Sequence, residues 1–94
     1  MTARRIIVHG RVQGVFYRDW TVATARSLGL AGWVRNLPDG TVEAHLEGDP
    51  AAVERMIEEM QAGPPRAEPT GIDVQIVDSQ SLSGFTRCNW KSDR

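Results

Sequence analysis

Arg18 closes the stretch Gly10-Arg11-Val12-Gln13-Gly14-Val15-Phe16-Tyr17-Arg18, in which two glycines precede a guanidinium. Glycine reaches backbone conformations that turn successive N–H groups toward one point, and such a concave nest binds anions. A helix starting near Arg18 or Asp19 aims its unpaired amides and the positive end of its dipole at the same point. The arginine is permanently charged, and its forked donors match the oxygens of a phosphate or a carboxylate. The plainer alternative is a tight strand-to-helix turn beside a solvated arginine.

The second stretch with chemical content, Gly32-Trp33-Val34-Arg35-Asn36-Leu37-Pro38-Asp39-Gly40, sets Asn36 at a strand end beside a hairpin. Its carboxamide either caps the turn or faces the anion site, where a group that donates and accepts at once can orient a water molecule. Arg18 and Asn36 together supply a fixed cation, a set of donors and a neutral amide, but no general acid and no strong base. Such a site hydrolyses only a bond whose leaving group departs unprotonated. A carboxylate, whose acid has a pKa of about 4, qualifies. An acyl phosphate therefore fits, and an ordinary phosphate ester does not.

Other chemistries find few residues to use. His9 and His45 fall in different strands, both expected on the sheet face away from the helices, with no ligand-spaced partners to complete a metal site. Cys88 is the only cysteine, so no intrachain disulfide forms, and no base stands next to it in sequence. Walker, dinucleotide and nucleophile-elbow motifs are missing. Trp20, Trp33, Trp90, Phe16, Tyr17 and Phe85 lie on different elements without the aromatic-basic interleaving of an RNA-binding sheet, so packing is their expected role. With 11 basic and 12 acidic residues the net charge is −1, and no overall field draws nucleic acid. The apolar run Ile6 to Val8 is too short for a signal peptide or a membrane span. A cytoplasmic monomer without a membrane or nucleic-acid partner is expected.

The elements that must position these residues follow from periodicity. Arg4 to Arg11 reads as a strand with Ile6, Val8 and Gly10 on one face, and Trp20 to Leu28 as a helix with Val22, Ala25 and Leu28 at its spacing and Gly29 after its end. Gly32–Leu37 and Thr41–Glu47 form two strands joined by the Pro-Asp-Gly turn, hence antiparallel. Asp49-Pro50 opens a second helix, a capping carboxylate followed by proline at the first helical position, with Val53, Met56, Ile57 and Met60 on its buried side. Only Asp19 stands ready to cap the first helix. Gly63-Pro64 ends the second helix, Ile72, Val74 and Ile76 alternate in a fourth strand, and Phe85 to Trp90 supply a fifth before a polar tail. The order β-α-β-β-α-β predicts an α+β ferredoxin-like sandwich, an antiparallel sheet with two helices on one face. The 94 residues make one domain over 1–94, its core spanning about 4–90.

The two stretches, with Gly48 closing the second, resemble the paired signatures of acylphosphatases, and the similarity continues through Leu28-Gly29-Leu30 and Gly63-Pro64-Pro65-Arg66-Ala67. It covers the chain from Arg5 to about Trp90. The resemblance implies a small ferredoxin-like enzyme, without metal or cofactor, that hydrolyses the carboxyl-phosphate bond of a small-molecule acyl phosphate. Arg18 matches the family's phosphate-binding arginine, the backbone of Gln13, Gly14, Val15, Phe16, Tyr17 and Arg18 its phosphate loop, and Asn36 the asparagine that orients water. Tyr17 departs from the family's usual Phe, and its hydroxyl needs a partner if buried. Two alternatives stay open: a non-catalytic module that binds an anion or a partner protein by the same loop, and the acylphosphatase-like domain of larger carbamoyl-transfer proteins.

Overall fold

A computed structural model describes residues 1–88; the continuation of the last strand to Trp90 and the polar tail lie outside the described residues. Five strands and two helices alternate as β1 (Thr2–Arg11), α1 (Tyr17–Ser27), β2 (Ala31–Asn36), β3 (Val42–Gly48), α2 (Pro50–Ala62), β4 (Glu68–Ile76) and β5 (Phe85–Cys88). The sheet order is β4-β1-β3-β2-β5. β3 is the central strand, antiparallel to β1 with Val8 opposite Val42 and to β2 with Asn36 opposite Val42. β1 and β2 therefore run in the same direction, and their carboxyl ends emerge side by side.

Period-two alternation builds the core. Ile6 and Val8 of β1, Val34 of β2 and Val42, Ala44 and Leu46 of β3 are fully buried under Val53, Met56 and Met60 of α2 and Ala25 of α1. Three sequence expectations shift. Tyr17 starts α1 ahead of the predicted Trp20, so the helix buries Tyr17, Thr21 and Ala25, while Val22 and Leu28 stay half-buried beside the core. A bulge between His9 and Gly10 breaks the alternation of β1, at a glycine (φ 108°) where a Cβ would meet the Glu68 carbonyl oxygen. In β4, Ile72, Val74 and Ile76 do share the side of Val8 and Ile6, but Val74 and Ile76 are exposed because both helices leave that end of the edge strand uncovered.

The fifth strand corrects the sheet type. β5 pairs parallel to β2, Gly32 opposite Phe85 and Arg35 opposite Cys88, so the sheet is mixed and not wholly antiparallel. Chain leaving one edge at β4 crosses to the other edge through residues 77–84, and it enters β5 in the direction of β2. Glu47, buried in β3, anchors this crossing: its carboxylate accepts from the Gln80 N–H, the Leu82 N–H (3.2 Å), Ser79 Oγ (3.2 Å) and His45 Nε2 (2.7 Å). Burial pushes the Glu47 carboxyl up, but the Gln80, His45, Leu82 and Ser79 hydrogen bonds together outweigh it and hold the group below the usual carboxylate value.

A depressed folded value makes Glu47 stabilising at high pH. Its contribution is complete above the unfolded value, about 4.3, and is lost as pH falls through the lower folded value. Glu47→Gln should cost about 2 kcal/mol at pH 7, and the gap in urea midpoint between variant and wild type should narrow by pH 3.

Candidate active site

At the joint carboxyl ends of β1 and β2 the loop 12–16 turns into α1. Gly14 (φ 74°) and Phe16 (φ 62°) both adopt left-handed backbone, and Phe16 does so without glycine's freedom. α1 begins uncapped, since Phe16 is its N-cap residue and offers no side-chain bond. Trp20 N–H reaches the Phe16 carbonyl (3.0 Å), whereas, among the described residues, the amides of Gly14 to Tyr17 donate to no backbone carbonyl. α2 is built the opposite way: Asp49 accepts from Ala51 N–H (3.1 Å) and Pro50 has no amide to satisfy. Asp19 does not cap α1. It receives a hydrogen bond from Arg87 Nη1 of β5 at 2.7 Å instead. The amides of Gly14 to Tyr17 are thus left without backbone acceptors where α1 begins beside the cleft, the arrangement that favours an external anion.

Gln13 fixes this loop against the hairpin. Its Nε2 donates to Leu37 O and to Thr41 O, both at 2.8 Å, bridging the two sides of the β2–β3 turn immediately after Asn36. The turn is closed by Asp39, whose Oδ1 accepts from Thr41 N–H (3.0 Å) and Thr41 Oγ1 (2.6 Å). Asn36 is therefore not needed as the turn's cap. Its Oδ1 is buried and, among the described residues, has no hydrogen-bond partner. An acceptor in that state costs free energy unless a guest donates to it.

Arg18 and Asn36 meet in one cleft of about 250 Å³, together with Gly14, Phe16, Tyr17 and Arg87. Arg18 Nη1 donates to Cys88 O (3.1 Å), so the last strand helps to hold the guanidinium. Desolvation lowers the Arg18 pKa from its ordinary value and nearby Arg87 adds to that, while Asp19 opposes both. The predicted pair and the predicted loop are thus brought together. Val15 of that loop is buried in the core instead of lining the cleft. Tyr17 OH donates to Met60 O at 2.6 Å, and burial pushes its phenol well above the usual value. Met60 O lacks its helical partner because residue 64 is proline, so the hydroxyl satisfies a carbonyl that the helix end leaves open.

Sequence reasoning missed Arg87 in the cleft. Its signal was the register of β5, visible only once that strand is known to lie parallel beside β2. His45 stacks on Trp33 (6.0 Å between ring centres) and pairs with Glu47, and His9 pairs with Asp73 (2.8 Å), all away from the cleft. Trp20 packs at 5.4 Å against Tyr17. Among the described residues no three His, Cys, Asp or Glu side chains cluster to hold a metal, and no helix is long and apolar enough to cross a membrane.

The family model described as Acylphosphatase matches residues 4–87. This chain belongs to the acylphosphatase family. It is 47% identical over 87 residues to an acylphosphatase of Acidiphilium cryptum, covering 93% of this chain and 96% of that one. To an acylphosphatase of Rhodospirillum rubrum it is 51% identical over 80 residues, covering 85% and 88%. The crystal structure of acylphosphatase from Bacillus subtilis superimposes with a TM-score of 0.90 at 38% identity, covering 94% and 99%. The fold is accordingly ferredoxin-like α+β, and the acylphosphatase chain is a hydrolase acting on acyl phosphates.

Two substitutions test how the site is held. Tyr17→Phe should destabilise this acylphosphatase by about 1 kcal/mol, seen as a lower urea midpoint at unchanged slope. Gln13→Met removes both amide donors while Leu37 O and Thr41 O keep their backbone donors, Gly40 N–H and Leu37 N–H. It should lower kcat on benzoyl phosphate about tenfold by loosening the loop against Asn36, with the circular dichroism spectrum retained.

Proposed function

We propose that the cleft binds the phosphoryl group of an acyl phosphate through Arg18 and the backbone of residues 13–18, and that Asn36 orients the attacking water. The observation that carries this reading is the buried, unpartnered Oδ1 of Asn36 in the same cleft as Arg18. A water that donates to Oδ1 is held with a lone pair directed at phosphorus. Its oxygen forms the new P–O bond as the bond to the acyl oxygen breaks. The carboxylate leaves without protonation, and the water's proton passes to a phosphoryl oxygen, giving inorganic phosphate. Arg18 and the loop amides stabilise the charge on the equatorial oxygens, where prealigned donors gain most. Lowering of the guanidinium pKa by burial reflects a partly desolvated cation, which interacts more strongly with an anion than a solvated one does.

The same reading takes residues 1–94 as one domain acting as a cytoplasmic monomer on a small-molecule substrate, without nucleic acid. A single sheet and core among the described residues, and a net charge of −1, support it.

Hydrolysis of benzoyl phosphate in the presence of a chelator tests the roles. Arg18→Ala should lower kcat/KM about a thousandfold with KM raised, and Asn36→Ala should lower kcat about a hundredfold with KM little changed. A phosphate monoester should not turn over. Retention of kcat in Asn36→Ala would remove the water-orienting role.

A further inference from the structure

Once the phosphoryl group is assigned to the loop and Arg18, the acyl group must occupy what remains of the cleft. That remainder is lined by Phe16, a residue 71% exposed, and by the Asp19–Arg87 pair. Arg87 sits on β5 opposite Val34, two residues before Asn36 on the neighbouring strand. Its Nη1 donates to Asp19 Oδ1 at 2.7 Å, with both side chains about half exposed.

We propose that Arg87 is a specificity-determining residue, selecting acyl phosphates whose acyl group carries a carboxylate of its own. The proposal rests on the assignment of Arg18 to the phosphate. Asp19 already shows a carboxylate oxygen seated on this guanidinium at hydrogen-bonding distance, using one of five donors. An exposed pair of this kind is worth little, so a substrate carboxylate can share or replace it at small cost. The pair also argues against a second phosphate arginine. Asp19 offsets the charge of Arg87 toward a distant dianion, while the guanidinium's directed donors stay useful to a carboxylate in contact. Arg87 and Arg18 line the same cleft as like charges, and a substrate anionic at both ends relieves their repulsion. The exposed Phe16 ring offers an apolar wall for the carbon skeleton between the two charges.

The test compares para-carboxybenzoyl phosphate with its neutral isostere, para-carbamoylbenzoyl phosphate, and reads the ratio of their kcat/KM values. Comparing the ratio between variants removes the difference in leaving-group reactivity. Arg87→Gln should lower the ratio roughly fivefold, the most that an exposed ion pair supplies. Arg87→Lys should keep part of the preference, and Asp19→Asn should raise the ratio by removing the competing carboxylate. An unchanged ratio in all three variants, or equal losses on both substrates in Arg87→Gln, would overturn the proposal; the latter would assign Arg87 to the phosphate. Wild type that hydrolyses neither compound would strike the assignment of Arg18 as well, whereas equal turnover of both, indifferent to Arg87, strikes the carboxylate preference alone.

Discussion

Two hydrogen bonds from one amide set the working geometry of this protein. Gln13 lies in the loop after β1, and its Nε2 grips the carbonyls of Leu37 and Thr41 on the two sides of the β2–β3 turn. β3 separates β1 from β2, so nothing in the sheet ladder joins their carboxyl ends directly. The ladder aligns them, through Val8 and Asn36 both opposite Val42, and Gln13 then closes the gap beyond the last rung. The loop after one strand and the amide of Asn36 at the end of another border a single cleft because that distance is fixed. A side chain with one donor could tie the loop to one half of the turn and would leave the other half free to move.

The site is assembled from groups that the fold declines to satisfy. α2 closes its own N-terminus with Asp49 and Pro50, and its last turn has the Met60 carbonyl taken by Tyr17. α1 does neither at its start: a left-handed Phe16 stands at the N-cap position, and Asp19 is turned aside to Arg87. Asn36 Oδ1 is left buried and unpaired one residue before a turn that Asp39 already closes. Unpaired donors and an unpaired acceptor reduce folding stability, and the same groups gain hydrogen bonds when a guest reaches them. The concentration of such defects in one cleft, beside a well-satisfied second helix, is a stronger functional sign than any of them singly.

Local chemistry was readable in the sequence, and long-range chemistry was not. The Asp49-Pro50 start, the Pro-Asp-Gly turn and the alternation in β3 and in β1 as far as Val8 depend on neighbours within a few residues, and they appear as expected. Arg18 and Asn36 were singled out by residue type and by resemblance to acylphosphatases. What spacing could not give is where a side chain finds a partner many residues away. Asp19 looked like a cap because its competitor, Arg87, is 68 positions on in a strand whose direction periodicity does not encode. Gln13 looked like part of a backbone loop, since its amide acts across 24 and 28 positions. The exposed Val74 and Ile76 alternate like core residues, and only the reach of the helices decides that they are not.

The parallel course of β5 ties these missed features together. Had the chain turned back tightly after β4, the next strand would have lengthened the sheet at the β4 edge, far from Arg18. Crossing the open face instead brings Cys88 O to the Arg18 guanidinium and Arg87 to Asp19, so the last strand completes the wall of the cleft. That crossing needs polar backbone to lie on the sheet, and buried N–H groups require acceptors. Glu47 provides them from the central strand, taking the Gln80 and Leu82 amides on one carboxylate, while Trp33 Nε1 holds the Gln80 side chain at 3.1 Å. A buried carboxylate outside the cleft thereby anchors the crossing that brings β5 to its border. The chemistry at the front of the sheet depends on an acid at its back.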